Sequence, residues 1–206
     1  MLTYKDFFKE VQNHSMTVVK DDGLYRHLKF SDGSFNCAFD IITWPQYLTI
    51  TGDCGTYTFT RVEDMFSFFR FGQRDKGVSD YELRINPGYW GEKLVSICRH
   101  GEFKKFDSDE FERRVTEYFH GFFGDKCDAT KAECWIEIEG SVLSLSDNEH
   151  EAYDAVSDFS FDTPKGMNDF HFQDFFDGGG TEEYTLHYIW CLYAIAYGVQ
   201  EYDKQK

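Results

Sequence analysis

The sequence predicts an α+β fold: an N-terminal antiparallel sheet with a short helix, followed by a helical, acidic C-terminal half. Three observations carry that expectation. Short strand-like pieces separated by turn signals fill residues 16–61, and helical periodicity takes over from about residue 62. Most of the net charge then falls in the last 81 residues. With 206 residues the chain can bury a real core. Having no internal repeat and no low-complexity linker, it reads as one domain over 1–206, mainly strands over 1–61 and mainly helices over 62–206.

Residues 3–13 predict a short helix capped by Thr3, with Phe7, Phe8 and Val11 as its apolar face. Strand-like segments follow at 16–19, 24–30, 35–44, 47–53 and 56–61. Asp22-Gly23, Asp32-Gly33, Pro45 and Gly52 to Gly55 punctuate them, and such short spacers favour consecutive antiparallel hairpins. Along residues 24–30 the period of two puts Leu24, Arg26, Leu28 and Phe30 on one face. Tyr25, His27 and Lys29 take the other.

Helices are expected at 62–70, where Phe66, Phe68 and Phe69 suggest a core built from phenylalanine, and at 86–99 after the Asn86-Pro87 start. A polar loop over Gly72 to Gly77 separates the two. A third, over 108–123 with Ser108 as cap, has Phe111, Val115, Tyr118, Phe119 and Phe122 on one side. Residues 129–145, interrupted by Gly140, and 148–159 predict two more. Residues 161–180 read as a loop with a Gly178-Gly179-Gly180 tip. The span 182–203 reads as a long helix, apolar nearly all round and therefore buried, with Glu182 and Glu183 at its positive end.

The net charge is −16. Residues 126–206 hold 17 acids against 5 basic side chains, whereas 1–60 hold 7 against 5 and 61–125 hold 13 against 11. Such a field repels nucleic acid and anionic membrane, so direct nucleic-acid binding is not expected without a metal or a local basic patch. No apolar run reaches the roughly 20 residues that a membrane helix needs, so no membrane partner is expected. The opening MLTYKDFFKEVQ lacks the apolar stretch of a signal peptide, and a cytoplasmic location is expected. Cys37, Cys54, Cys98, Cys127, Cys134 and Cys191 form no CxxC pair and read as reduced, mostly buried thiols.

Several stretches are similar to a known group of sequences. They are YRHLKF, FDIITWPQYLTITGDCGTYTFTRVEDMFSFFR, INPGYWGEKL and YTLHYIWCLYAIAYGVQEYD. Together they resemble an uncharacterised family of phage- and prophage-encoded proteins, with Ile-Thr-Trp-Pro and Thr-Gly-Asp-x-Gly-Thr as the most distinctive pieces. The resemblance implies a mobile-element accessory protein, a class rich in inhibitors of host defence. It brings no catalytic residue with it, and Cys54 stands where that family commonly has Met.

Three constellations could carry chemistry. Cys54 beside Asp53, with His27 and Asp40 on neighbouring strands, could form a thiol nucleophile with an oriented base; a tight turn needing Gly52 and Gly55 explains the same residues. His150 among Glu149 and Glu151, and His171 between Asp169 and Asp174, lack HExxH spacing; with no calcium loop, Walker loop or GxGxxG, no metal and no cofactor are expected. The third constellation weighs most. Asp147, Glu151, Asp154 and Asp158 fall at i, i+4, i+7 and i+11 of the helix expected there, a stripe of roughly 16 Å at 1.5 Å per residue. Ala152, Ala155, Val156 and Phe159 supply that helix's buried side. Glu133 and Glu137 repeat the pattern one helix earlier, and Asp162, Asp169, Asp174 and Asp177 continue it in the loop.

The plainer explanation of these acids is a solvated surface that keeps the chain soluble. The sharper one is a carboxylate array that occupies the basic nucleic-acid-binding groove of a host complex, as an anti-CRISPR or anti-restriction inhibitor would. Two other functions fit the sequence: an enzyme acting on a small molecule or nucleotide near His27, Asp40 and Asp53, or a phage accessory that binds another phage protein.

Overall fold

The computed structural model describes residues 2–71, 84–99, 101–124, 129–177 and 180–206. The expected loop over Gly72 to Gly77, Cys127 and the Gly178-Gly179 tip lie outside the described residues. The chain gathers into two compact units, residues 1–104 with 184–206, and residues 105–183. The change from strands to helices near residue 61 falls inside the first unit.

The first unit opens with helix α1 (Tyr4–Val11), which Thr3 caps through a reciprocal bond with Asp6. Strands β1 (Ser15–Asp22), β2 (Tyr25–Ser31), β3 (Phe39–Trp44), β4 (Tyr47–Gly52), β5 (Gly55–Thr60) and β6 (Leu94–Ile97) then form a six-stranded antiparallel meander in chain order. Helices α2 (Met65–Phe71) and α3 (Pro87–Gly91) lie between the last two strands in sequence. Two-residue links join β1 to β2, β3 to β4 and β4 to β5, and each has a left-handed residue in or beside it: Gly23 at φ 63°, Gln46 at 72° and Gly55 at 107°.

Alternation decides which sheet face is buried. Leu28, Phe30, Phe39, Ile41, Leu48, Ile50, Tyr57 and Phe59 are buried and share one core with Phe7, Phe66, Phe69, Trp90 and helix α7 (Leu186–Lys204). Twelve of the 19 residues of α7 are buried, which explains why its sequence shows almost no polar face. Close approach of this helix depends on Gly198, where an added Cβ would stand 2.3 Å from Ile41 Cδ1 and 3.2 Å from the Phe30 ring. The inner face also takes in Arg26. Its guanidinium donates to both carboxylate oxygens of Asp64 at 2.8 and 3.3 Å and lies 4.7 Å from the Phe66 ring centroid and 5.6 Å from that of Tyr202.

The second unit contains α4 (Ser108–Phe123), α5 (Ala129–Ser141), a 3₁₀ turn at Leu143–Leu145, α6 (Glu149–Asp158) and the two-residue strands Ser160–Phe161 and Phe170–His171. Its core is separate and aromatic: Phe111, Val115, Phe119, Phe123, Cys134, Ile138, Val142, Val156 and Phe175 surround Phe170. The Phe170 ring meets those of Tyr118, Phe119, Phe122, Phe123, Phe159 and Phe172 at centroid distances of 5.0–6.1 Å. Short strands at Lys104–Phe106 and Glu182–Tyr184 pair where the chain crosses between units.

Four local expectations need correction. Only Pro87–Gly91 of the span 86–99 is helical, and Leu94–Ile97 forms the sixth strand. Val95 and Ile97 are β-branched, and the open edge of β5 pairs with Leu94, Ser96 and Ile97 in a ladder that a five-residue helix cannot match. The cap of α4 is Asp107, which accepts from the Glu110 amide at 3.1 Å, with Ser108 the first helical residue. Glu182 and Glu183 lie in a strand, and α7 begins after Thr185, whose hydroxyl accepts from the Tyr188 amide. Asn148 accepts from the His150 and Glu151 amides and starts α6 at Glu149, so Asp147 precedes the helix.

Candidate functional site

Helices α5 and α6 have opposite sides with opposite character. Cys134 and Ile138 of α5, and Ala152 and Val156 of α6, point into the unit's core. Helical spacing therefore places Glu133 and Glu137, and Glu151, Asp154 and Asp158, in solvent. All ten sequence-predicted acids are exposed: Glu133, Glu137, Asp147, Glu151, Asp154, Asp158, Asp162, Asp169, Asp174 and Asp177.

The structure brings four of these ten together. Glu137, Glu151, Asp154 and Asp158 line one open groove of about 590 Å³, whose other walls include Ser141, Leu145, Ala155 and Phe159. Apolar surface thus lies between carboxylates. Asp169 belongs to a different depression, beside Tyr118, Phe122 and His171, and its Oδ1 accepts from the Thr163 amide at 2.9 Å. Asp174 occupies a left-handed position, φ 52°, in the turn after Phe170–His171. Asp147, Asp162, Asp177 and Glu133 are exposed and do not line the groove.

None of the ten carboxylates forms an ion pair with a described Lys, Arg or His. Three cations of this unit are engaged elsewhere. Arg113 bridges Glu110 and Glu117 along α4, Lys105 meets Glu183 at 2.9 Å, and Arg114 donates to the Phe175 carbonyl. The groove carboxylates are left to one another and to solvent, an arrangement that costs a few tenths of a kcal/mol per like pair and attracts cations.

The thiol constellation divides into two places. His27 Nε2 and Asp40 Oδ2 do pair, at 2.6 Å, on the solvent side of β2 and β3. Cys54 lies in the β4–β5 turn and lines another pocket, of about 380 Å³, with Asp53, Tyr57, Cys98, Glu102 and His187. Burial pushes its thiol up to about 12, with Cys37 and Asp53 adding to the shift. A protonated thiol away from the His27–Asp40 pair is a poor nucleophile.

The Gly-Asp-x-Gly turn has a structural explanation. A Cβ at Gly52 would stand 2.2 Å from the Ala38 carbonyl oxygen, and Asp53 accepts from the Cys37 amide at 2.9 Å. Among the described residues, no group of three or more His, Cys, Asp or Glu side chains is arranged to hold a metal. No helix among them is long and apolar enough to cross a membrane.

Sequence reasoning found the groove's carboxylates, assigned Ala155 and Phe159 to the helix's buried side although they also line the groove, and missed Leu145. Leu145 belongs to the 3₁₀ turn that interrupts the helical pattern, so periodicity gave no face for it. Compared with models of known protein families, with curated proteins and with solved structures, the chain matches none.

Proposed function

We propose that this protein is a phage-encoded inhibitor of a host defence complex, of the anti-CRISPR or anti-restriction type, that occupies a basic nucleic-acid-binding groove with the acidic groove of its helical unit. One observation carries the proposal: Glu137, Glu151, Asp154 and Asp158 line a single groove, and no described cation neutralises them. Lys and Arg of a nucleic-acid site would supply the missing countercharge, and Leu145 and Phe159 would add apolar contact that a phosphate backbone lacks. The resemblance of the quoted stretches to phage- and prophage-encoded proteins fits the same setting.

The decisive experiment measures displacement of labelled DNA from a purified host CRISPR or restriction complex. The protein should displace DNA at low salt and lose affinity steeply as salt rises. The variant Glu137→Gln/Glu151→Gln/Asp154→Asn/Asp158→Asn should fold normally and fail to displace it. Displacement by that variant at wild-type concentration would refute the groove as the contact surface.

A further inference from the structure

The solvent face of the sheet carries a second site, and its chemistry differs from that of the acidic groove. The pairing register puts Lys20 opposite His27 and His27 opposite Ile42, with Lys29 opposite Asp40 in the adjacent row. Tyr25 precedes and Trp44 follows the antiparallel pair Arg26 and Thr43, so the two aromatic side chains lie at one end of that face. A bulge between Val18 and Lys20 shifts the edge strand there. A depression of about 560 Å³ results, within the range of small-molecule sites, and Lys20, Tyr25, His27, Ile42 and Trp44 line it.

Three features distinguish this depression from ordinary sheet surface. First, Tyr25 is 51 % and Trp44 37 % exposed, although rings of this size are usually covered. One side of the Trp44 ring stacks on Tyr47 at 5.2 Å and 16°, and no ring contact joins it to Tyr25. A flat platform therefore stands ready beside open space. Second, Lys20 and Lys29 form no ion pair among the described residues, in a chain with 37 acids. Lys20 instead lies 5.5 Å from the Tyr25 ring centroid. Third, Asp40 holds His27 through Nε2, which fixes the imidazole and leaves Nδ1 as the ring's other polar atom.

We infer that this face binds a free nucleotide, its base stacked on Trp44 and Tyr25 and its phosphate turned toward Lys20. Aromatic platforms recognise any base through its π-face, and a lysine supplies a point charge for phosphate. The same stacking and phosphate chemistry occurs in a nucleic-acid strand. A polyanion would meet the repulsion of a −16 chain along its whole length, whereas a mononucleotide places its charge beside Lys20.

The test follows the Trp44 indole N–H resonance while a nucleoside monophosphate, the matching nucleoside, ribose 5-phosphate, a neutral oligosaccharide and a short oligonucleotide are added in turn. The nucleotide should shift the resonance saturably, and the nucleoside and the sugar phosphate should each bind about tenfold more weakly or worse. The nucleotide's own proton resonances then provide a readout for variants, Trp44→Phe retaining binding and Tyr25→Ala losing about tenfold. Lys20→Gln should weaken binding and flatten its salt dependence, with far-UV circular dichroism unchanged. No saturable shift at millimolar nucleotide overturns the inference, as does equal binding of the neutral oligosaccharide. Tighter binding of the oligonucleotide than of the mononucleotide overturns the choice of a free nucleotide. Because these variants leave α5 and α6 untouched, DNA displacement by the acidic groove should survive them, so the two proposals fail separately.

Discussion

In the sheet-containing unit, two arginines serve internal architecture. Arg26 lies on the buried face of β2 between aromatic rings and grips Asp64, while Arg70 holds Asp203 of α7 with two bonds of 2.6 Å. In the helical unit the reverse holds: Phe170 and its neighbours fill the core, and Glu137, Glu151, Asp154 and Asp158 face water with no described cation against them. Charge that is paired inside a fold contributes to holding it together, and charge left unpaired outside is available for something else. The two units share one chain and use the same residue types for opposite ends.

The largest expected effect tests the claim that the helical unit is held by rings. Phe170→Ala should destabilise it by about 3–5 kcal/mol, because the cavity would be lined by six aromatic side chains that cannot easily collapse. Urea unfolding followed by near-UV circular dichroism would register this.

Next comes the buried guanidinium. Arg26→Ala should cost about 3 kcal/mol, since Asp64 loses its bidentate partner and keeps only Arg70 at 4.0 Å among the described cations, and Phe66 and Tyr202 lose this guanidinium. An effect below about 1 kcal/mol would place this pair with ordinary surface bridges and erase the contrast between the units.

Alkaline titration sharpens the comparison further. Cys37 and Cys54 of the sheet unit are pushed up from 9.0 to about 11 and about 12, chiefly by burial. Folding therefore favours the protonated thiols, and the stability they contribute is complete below pH 9.0 and declines as pH rises through 11 and 12. Cys54→Ala should flatten the loss of stability measured by urea midpoints across that interval. An unchanged slope would refute a role for that thiol.

The smallest effect on stability belongs to the acids. Neutralising Glu137, Glu151, Asp154 and Asp158 together should raise stability slightly, by less than about 1 kcal/mol, because repulsion between like charges is relieved. A thermal melt at low salt would show the sign. A clear loss of stability would mean that the groove carboxylates have a structural task.

The sheet was legible because hairpins announce themselves: Asp22-Gly23, Pro45-Gln46 and the Gly52–Gly55 turn each occur between alternating segments. Arg26 was legible as a residue of the inner face, while its partner was not, since Asp64 is 38 positions away. Strand β6 escaped because four residues are too few to establish a period and the preceding Asn-Pro advertises a helix. The exposure of the acids followed from helical spacing on α5 and α6. That four of them share a groove did not, because it depends on how α5, the 3₁₀ turn and α6 pack. The aromatic end of the outer sheet face likewise needed a register that no single strand contains.

The route of the chain has a consequence for how the protein is made. The sheet's apolar face is closed by α7, which follows residues 105–183 in the chain and so is synthesised after them. Nascent β1–β5 must therefore wait with Phe30, Ile41 and Ile50 uncovered while the inserted unit can already fold, an interval in which chaperone protection matters most.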